Sequence, residues 1–273
     1  MTRIVTLLGL EFADLTAEEA AHAIAARPAD SPFGYVVTPN ADHLVRLSGD
    51  PELAGIYRGA WLRLLDSRVV AGMARGFGLT APRVATGSDV TELLLQRHVH
   101  VNEKIAIIGL PPAWLPALVD RCGLAAPWHY DPPMGFDRDP AAFAATVAFV
   151  VAHPARLVFL AVGSPRQERL AAAVAATGHA TGTGLCIGAS LAFLAGAERR
   201  APGWMRRCGL EWANRLAGDP RRMARRYLVD SPRVVALLAR AAVGRWLGDG
   251  EATRRKRNAG AKDGPVGADD DGE

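Results

Sequence analysis

The chain has 273 residues, which is enough for one large domain or two small ones. Hydrophobic residues make up 49% of it and charged residues 22%, a balance typical of a folded globule, which argues against general disorder. The net charge is only +4, but the charge is unevenly distributed. Residues 199–247 contain twelve arginines, three acidic residues and no lysine, which favours a phosphate group or an anionic surface as partner.

The cysteines and the apolar stretches bear on the cellular compartment. Cys122, Cys186 and Cys208 lie far apart without CxxC spacing, which argues against an all-cysteine zinc site and a secreted disulfide scaffold. The N-terminus has no signal-peptide pattern, and a histidine, a proline and an arginine interrupt the apolar stretch 141–162. We therefore expect a cytoplasmic protein without a transmembrane anchor.

Short apolar runs alternate with helical patterns along most of the chain. A strand over 34–38 is followed by a helix from Asn40 to about Leu47, and Asp50 and Pro51 begin the next helix. The other predicted strands are 61–65, 104–109 and 157–162, and the other predicted helices are 112–122, 141–152 and 165–176. This alternation predicts the α/β class, with a mainly parallel sheet covered by helices.

The character of the sequence changes after Gly196. Gly218 ends one predicted helix, Asp219 with the following proline begins the next, and Ser231 with its proline begins a third. From residue 248 onward almost nothing is apolar, which predicts disorder. We therefore divide the chain into an α/β core (1–197), a basic helical appendage (198–247) and a disordered tail (248–273).

Polar residues stand at the ends of two predicted strands. Thr38 ends the strand 34–38, Asn40 follows it by two residues, and Asp66 directly follows the strand 61–65. Ligands of open α/β sheets bind outside the carboxyl ends of the strands, so these side chains are well placed for binding. Asp66 could take a proton from a sugar hydroxyl there as a general base. The structural alternatives are a helix cap by Asn40 and a loop cap by Asp66.

The segment 163–168, GSPRQE, lies between a predicted strand and a predicted helix. Ser164 as N-cap, Pro165 at the first helical position and Gln167 at the third favour a capping box. Free amides at this helix start, together with Arg166, would also form an anion site. The two interpretations are compatible, because a capped helix end can still face a ligand.

The appendage carries paired arginines. Arg221 and Arg225, like Arg222 and Arg226, are four residues apart and share a helix face. The helix that follows places its apolar residues, ending with Trp246, roughly on one side. A basic amphipathic helix of this kind suits an anionic bilayer surface. The alternative is that the apolar side packs on the core while the arginines are merely solvated.

Two further motifs are weak. Asp137 and Asp139 match the DxD pattern with which many sugar transferases hold a metal, but Asp139 also precedes a proline and can begin a helix. The glycines within 182–188 give GxGxxxG, which departs from the dinucleotide fingerprint and follows a poor strand pattern. We expect neither a metal site nor a nicotinamide site.

Over about residues 34–230, a series of short motifs follows the order in which they occur in one known protein family. They are Thr38-Pro39-Asn40, Leu65-Asp66, Gly87-Ser88-Asp89, Ile107-Ile108-Gly109, GSPRQE at 163–168, Arg200-Ala201-Pro202, Gly209-Leu210-Glu211-Trp212, Arg215-Leu216, Asp219-Pro220-Arg221-Arg222 and Arg225-Arg226-Tyr227. In these segments the chain resembles the WecG/TagA/CpsF glycosyltransferases. GSPRQE and the arginine-rich run after Arg200 are the most specific parts of the resemblance.

The resemblance implies a Rossmann-like core with helices on both faces and an inverting, metal-independent transferase without a cofactor. The implied donor is a UDP-linked sugar: N-acetylmannosamine, its uronic acid or a glucose-type sugar. The implied acceptor is a polyprenyl-diphosphate-linked sugar at the inner face of the cell membrane, where the enzyme would be peripheral. The product would enter a cell-surface polysaccharide or teichoic-acid-type polymer, and a homo-oligomer stays possible.

The resemblance also implies roles for particular residues. Asp66 resembles the general base of the family. The pocket residues that it implies are Thr38, Asn40, Arg83 and Gln167. The arginines that it places nearest the UDP diphosphate are Arg215, Arg222 and Arg225. The neighbouring Arg221 or Arg226 could take the role of one of these arginines.

The chain departs from the family pattern at two points. The usual Asp-Gly is Asp66-Ser67 here, and a common Phe-Asp pair is replaced by Leu191-Ala192. Because serine resists a positive φ, we expect the loop around Asp66 to differ. Two other classes stay open, a basic nucleic-acid-binding α/β protein and a nicotinamide-dependent oxidoreductase, although the sequence has neither a recognised nucleic-acid motif nor the dinucleotide fingerprint.

Overall fold

The computed structural model describes residues 2–198, 200–203, 205 and 231–260, with the backbone alone at 231 and 248–260. In these residues the chain forms a small antiparallel hairpin and a six-stranded sheet with helices on both faces. Every pair of neighbouring strands in the large sheet is parallel. The predicted α/β class with a Rossmann-like parallel core is therefore confirmed.

The strands follow one another as the alternation of the sequence predicts. They are β1 (Ile4–Leu7), β2 (Leu10–Ala13), β3 (Gly34–Val37), β4 (Leu62–Arg63), β5 (Ala106–Ile108), β6 (Trp128–Tyr130), β7 (Leu157–Leu160) and β8 (Thr183–Cys186). The hairpin pairs β1 with β2, and the large sheet has the order β4-β3-β8-β7-β5-β6.

The helices connect these strands and cover the sheet. They are α1 (Ala17–Ala25), α2 (Ala41–Leu47), α3 (Pro51–Gly59), α4 (Arg68–Gly76), α5 (Gly87–Leu93), α6 (Leu115–Cys122), α7 (Pro140–Ala152), α8 (Arg166–Ala176), α9 (Ser190–Ala195) and α10 (Ser231–Gly260). A 3-10 turn precedes α6 within the predicted helix 112–122, and a π-helical turn extends α5.

Short polar side chains fix the starts of several helices. Asp50, Ser67 and Thr86 each accept a hydrogen bond from the backbone N–H three residues further on, at 2.9, 3.1 and 3.1 Å. Such caps satisfy N–H groups that have no partner within the helix. They define where α3, α4 and α5 begin, and the last two begin close to Asp66.

The two faces of the sheet bury different residues of the same strands. Val37, Leu160 and Cys186 face the side covered by α2, α3, α4, α7, α8 and α10. Val36 and Phe159, each adjacent in sequence to one of these, face the side covered by α1, α5, α6 and α9. Because successive side chains of a strand point to opposite faces, a sheet buried on both sides needs the near-continuous apolar runs seen here.

The strand β8 lies in the centre of the large sheet, although we predicted no strand there. Its glycine explains the error. A Cβ atom at Gly184 would come within 2.6 Å of the Phe33 ring, and one at Gly182, just before the strand, within 2.1 Å of the Ala155 carbonyl oxygen. Glycine is required where backbone and neighbours approach this closely, and it weakens the strand pattern.

The helix α10 packs on α2 and α4. Val234 and Leu238 are fully buried against them, whereas Trp246 is 76% exposed. The alternative interpretation, in which the apolar side packs on the core, therefore holds for the first part of this helix. Its backbone stays helical to Gly260, beyond the predicted boundary at 247, because its Ala, Glu, Arg and Lys residues favour helix. The rest of the predicted tail, 261–273, lies outside the described residues.

Candidate active site

The carboxyl ends of the parallel strands bring the predicted polar residues to one edge of the sheet. Thr38 and Asn40 follow β3, Asp66 follows β4, and Gly188 follows β8. The strands β4, β3 and β8 are direct neighbours, so these residues are grouped in space. Ligands of open α/β sheets bind at this edge.

The carboxyl group of Asp66 is half-buried and anchored by backbone contacts. The Asp66 N–H donates to the Pro39 carbonyl oxygen at 3.0 Å, which ties the end of β4 to the end of β3. The Gly87 N–H donates to Asp66 Oδ2 at 3.3 Å. Asp66 is thereby held as a hydrogen-bond acceptor at the edge of the sheet.

Thr38 and Asp66 meet on the same glycine. A Cβ atom at Gly87 would come within 2.9 Å of Thr38 Oγ1, so the threonine packs directly on the backbone that donates to Asp66. Thr38 Oγ1 itself donates to the carbonyl oxygen of Cys186 at 3.4 Å, at the end of β8. The structure therefore joins two of the predicted site residues through Gly87, which begins α5.

Asn40 caps the helix α2. Its Oδ1 accepts from the N–H groups of Asp42 and His43 at 3.1 and 3.4 Å, and His43 Nδ1 accepts from the Asn40 N–H. The structural interpretation of Asn40 as a cap is confirmed. Its role in a substrate pocket stays a prediction, because an N-cap at this edge can also face a ligand.

Ser67, the residue after Asp66, is the N-cap of α4. Ser67 is extended, with φ −162°, and its hydroxyl caps α4 by accepting from the Val70 N–H. No positive φ is needed at this position, so the departure from Asp-Gly is accommodated without backbone strain. The other departure, Leu191-Ala192, is buried in the core.

Arg83 makes its contacts with the N-terminal segment. Its Nη2 lies 2.8 Å from Glu19 Oε2 and its Nε 3.6 Å from Asp14 Oδ1, and the side chain is 45% exposed. The Arg83 backbone N–H also donates to Asp14 Oδ1. The structure thus pairs Arg83 with two acids rather than with Thr38, Asp66 or Gln167, and its assignment to the pocket stays a prediction.

Gln167 is 3% exposed and uses both ends of its amide inside the protein. Its Oε1 accepts from the Gly188 N–H at 3.0 Å, and its Nε2 donates to Glu168 Oε1 at 2.9 Å. The predicted capping box is wrong, because α8 begins at Arg166 with no side-chain cap and the amide of Gln167 is committed to the loop after β8.

Sequence reasoning missed Glu168 and Tyr57 as partners of this residue. Glu168 is 1% exposed, and its Oε1 also accepts from the Tyr57 hydroxyl at 3.0 Å. Burial, and then the nearby Glu168, raise the pKa of Tyr57 far above its ordinary value, so this hydroxyl is a donor at any physiological pH. Glu168 in GSPRQE was the sequence signal for such a contact, because a carboxyl group that is buried in a core requires hydrogen-bond partners.

The two weak motifs have structural roles. Asp139 Oδ1 accepts from the N–H groups of Ala141 and Ala142, so it caps α7 as its position before a proline predicts. Gly182 and Gly184 make the close approaches described above. Over the described residues, no group of three or more His, Cys, Asp and Glu side chains is placed to hold a metal ion.

The arginines predicted to contact a diphosphate, Arg215, Arg222 and Arg225, lie outside the described residues. Arg200, near the start of the appendage, is among the described residues, and its guanidinium contacts Asp89 Oδ1 at 2.6 Å and Glu92 Oε2 at 3.2 Å. Both acids belong to α5, whose first N–H contacts Asp66. Arg200 therefore fastens the start of the appendage beside the site.

The site is thus a half-buried carboxyl group at the carboxyl edge of a parallel sheet, with a hydroxyl beside it, where open α/β sheets bind their ligands. The glycosyl transferase family WecG/TagA/CpsF matches residues 5–247 of the chain. The chain belongs to this family of glycosyltransferases, whose members serve cell-surface polysaccharide synthesis and use a sugar donor and an acceptor. The nucleic-acid-binding and oxidoreductase alternatives are set aside by this match.

Proposed function

We propose that the protein transfers a sugar from a UDP-linked donor to a polyprenyl-diphosphate-linked sugar, with inversion at the anomeric carbon and without a metal. The donor sugar is N-acetylmannosamine, its uronic acid or a glucose-type sugar. The observation that carries this proposal is the Asp66 carboxyl group, held by the Gly87 N–H and next to Thr38 at the edge where ligands bind.

Asp66 acts as general base in this mechanism. Its carboxylate takes the proton of the acceptor hydroxyl while that oxygen attacks the anomeric carbon from the face opposite UDP. The bond from the anomeric carbon to the UDP oxygen breaks as the new glycosidic bond forms, so a single displacement inverts the configuration. General base action of this kind contributes about 10²–10⁴-fold to a rate.

Guanidinium groups neutralise the charge that develops on the departing UDP. Arg215, Arg222 and Arg225 are our candidates, supported by the high arginine content of residues 199–247 and by the family motifs that include them. Guanidinium stays charged at every relevant pH and binds phosphate through two parallel hydrogen bonds. The fastening of Arg200 to α5 is consistent with an appendage that begins beside Asp66.

Because the proposed acceptor is attached to a membrane lipid, the enzyme has to act at the membrane surface. The second part of α10 supports such a contact, because Val243, Trp246 and Leu247 are 57%, 76% and 56% exposed beside Arg240 and Arg245. Apolar and aromatic side chains next to arginines favour binding to anionic bilayers. Within the described residues no helix is both long and apolar enough to span a bilayer. We therefore propose a cytoplasmic enzyme, peripheral on the inner face of the cell membrane.

The test is a panel of UDP-sugars offered with a short polyprenyl-diphosphate-N-acetylglucosamine analogue, in parallel reactions with and without EDTA. We expect UDP release and a glycosylated lipid with at least one donor, at the same rate in both conditions. Release that depends strictly on a divalent metal would contradict the arginine mechanism. Transfer from none of the donors would contradict the proposed substrates.

A further inference from the structure

We propose that Gln167 and Glu168 form a positioning pair that fixes the loop after β8, so that Gln167 acts through the backbone of Gly188 rather than by touching the substrate. This inference rests on the proposed transferase function and assigns two residues of its site. It replaces the pocket-lining role that the family resemblance implies for Gln167, and it gives Glu168 a role that no motif assigned.

The orientation of the Gln167 amide follows from its partners. The Gly188 N–H can only donate, so the atom 3.0 Å from it is the amide oxygen. The NH₂ end then faces Glu168, whose Oε1 lies 2.9 Å away and accepts. An amide turned the other way would oppose two donors at Gly188 and lose its bond to the carboxyl group. The carboxyl group therefore fixes which end of Gln167 reaches the loop.

Glu168 is itself held from the other side. The Tyr57 hydroxyl on α3 donates to the same Oε1 at 3.0 Å, and the two residues are 1% exposed. Glu168 Oε2 is buried and has no hydrogen-bond partner among the described residues. A buried carboxyl group with an unsatisfied oxygen costs stability, and an apolar residue of similar size would be expected to fold better. Such exceptions concentrate at functional sites.

The loop that the pair fixes borders the proposed reaction centre. Gly188 has φ +56° and lies two residues after Cys186, whose carbonyl oxygen accepts from Thr38 Oγ1. Two residues further on, Ser190 Oγ lies 3.2 Å from Ser88 Oγ, at the start of α5. The loop thus contacts Thr38 on one side and the helix that anchors Asp66 on the other. A shift at Gly188 would displace both.

An exchange of the two side chains separates positioning from substrate contact. Gln167→Glu places two carboxyl groups face to face and removes the N–H donor between them. The double variant Gln167→Glu/Glu168→Gln restores a donor between the two side chains. The new carboxylate at 167 accepts from Gly188, and the NH₂ group of the new amide at 168, in the place of Oε1, donates to that carboxylate and to the Tyr57 hydroxyl oxygen.

We expect Gln167→Glu to lower kcat by about 10²-fold, the size expected for a misplaced reacting group, with the KM for the donor changed less than about threefold. The exchange variant should recover kcat to within about tenfold of the original protein. If the kcat of the double variant is as low as that of Gln167→Glu alone, or if the substitution raises KM instead of lowering kcat, Gln167 contacts the substrate directly and the proposal is wrong.

Amide hydrogen exchange of the peptide that contains Gly188, measured without substrate, shows independently of activity whether Gln167 and Glu168 hold this loop in place. Exchange should be faster in Gln167→Glu and slow again in the double variant, and Gln167→Met gives the same reading if the first variant does not fold. Unchanged exchange in a folded Gln167 variant overturns the positioning pair. Absence of transfer by the original protein would instead overturn the proposed function, while the exchange data still decide the pair.

Discussion

Gly87 is the residue on which the site geometry depends most closely. Its N–H donates to Asp66 Oδ2, and its α-carbon faces Thr38 Oγ1. Asp66 itself was predictable from its place after a strand, because parallel strands bring such residues to one edge. Tyr57 and Glu168 were not, since they are separated by 111 positions and only the fold brings them together.

We predict that Gly87→Ala lowers kcat by about tenfold, because the added Cβ displaces Thr38 or withdraws the N–H from Asp66. The free energy of unfolding should fall by about 1–3 kcal/mol, as for other overpacked sites. Steady-state kinetics and urea unfolding measure the two effects. Gly55→Ala in α3 is the control, because a Cβ there meets nothing within 4 Å and kcat should not change.

At the scale of elements, the strands and helices predicted within 34–176 and the helix predicted from Ser231 are present with shifted ends, whereas the helices predicted to end at Gly218 and to begin at Asp219 lie outside the described residues. The strand β4 has only two residues where five were predicted, because its ladder with β3 ends after Arg63. Beyond it, Leu65 forms only an isolated parallel bridge with Val84, which belongs to no strand. The central strand β8 escaped prediction because its tight packing on Phe33 demands glycine. A packing requirement between distant segments is not visible in a local pattern.

The contact between β8 and Phe33 gives a second prediction. Gly184→Ala should lower the free energy of unfolding by about 1–3 kcal/mol, since its Cβ would lie 2.6 Å from the ring. Combined with Phe33→Leu, which removes the ring, the total loss should be smaller than the sum of the two single losses. Urea unfolding of all four proteins measures this coupling. Strictly additive losses would mean that the ring does not oppose a side chain at 184.

The helix α10 carries a prediction about membrane contact. Trp246→Ala and Val243→Ala should weaken binding to anionic liposomes, because both side chains are exposed on α10. Val101→Ala is the matched control, since Val101 is 72% exposed but lies in the loop before β5. Co-sedimentation with vesicles of stated anionic lipid content measures the difference. Equal binding by all variants would contradict a membrane contact through the exposed side chains of α10.

Across the whole molecule, the sequence predicted the class of fold and the family, because both depend on patterns that recur along the chain. The uneven placement of charge pointed to an arginine-rich end, and α10 now anchors that end on α2 and α4 through Val234 and Leu238. The helices that follow Thr38 and Asp66 therefore support the appendage directly. Sugar identity was not predictable, since it depends on side-chain positions within a pocket rather than on periodicity.

The central claim is that Asp66 activates the acceptor hydroxyl, and one substitution tests it most directly. Asp66→Asn should lower turnover by at least about 10²-fold, because an amide cannot take the proton, while the affinity for UDP changes little. Asp139→Asn is the control, since asparagine also caps a helix and the residue belongs to α7. Transfer assays and UDP titration of both variants give the answer. Turnover of Asp66→Asn equal to that of the unsubstituted enzyme would contradict the mechanism.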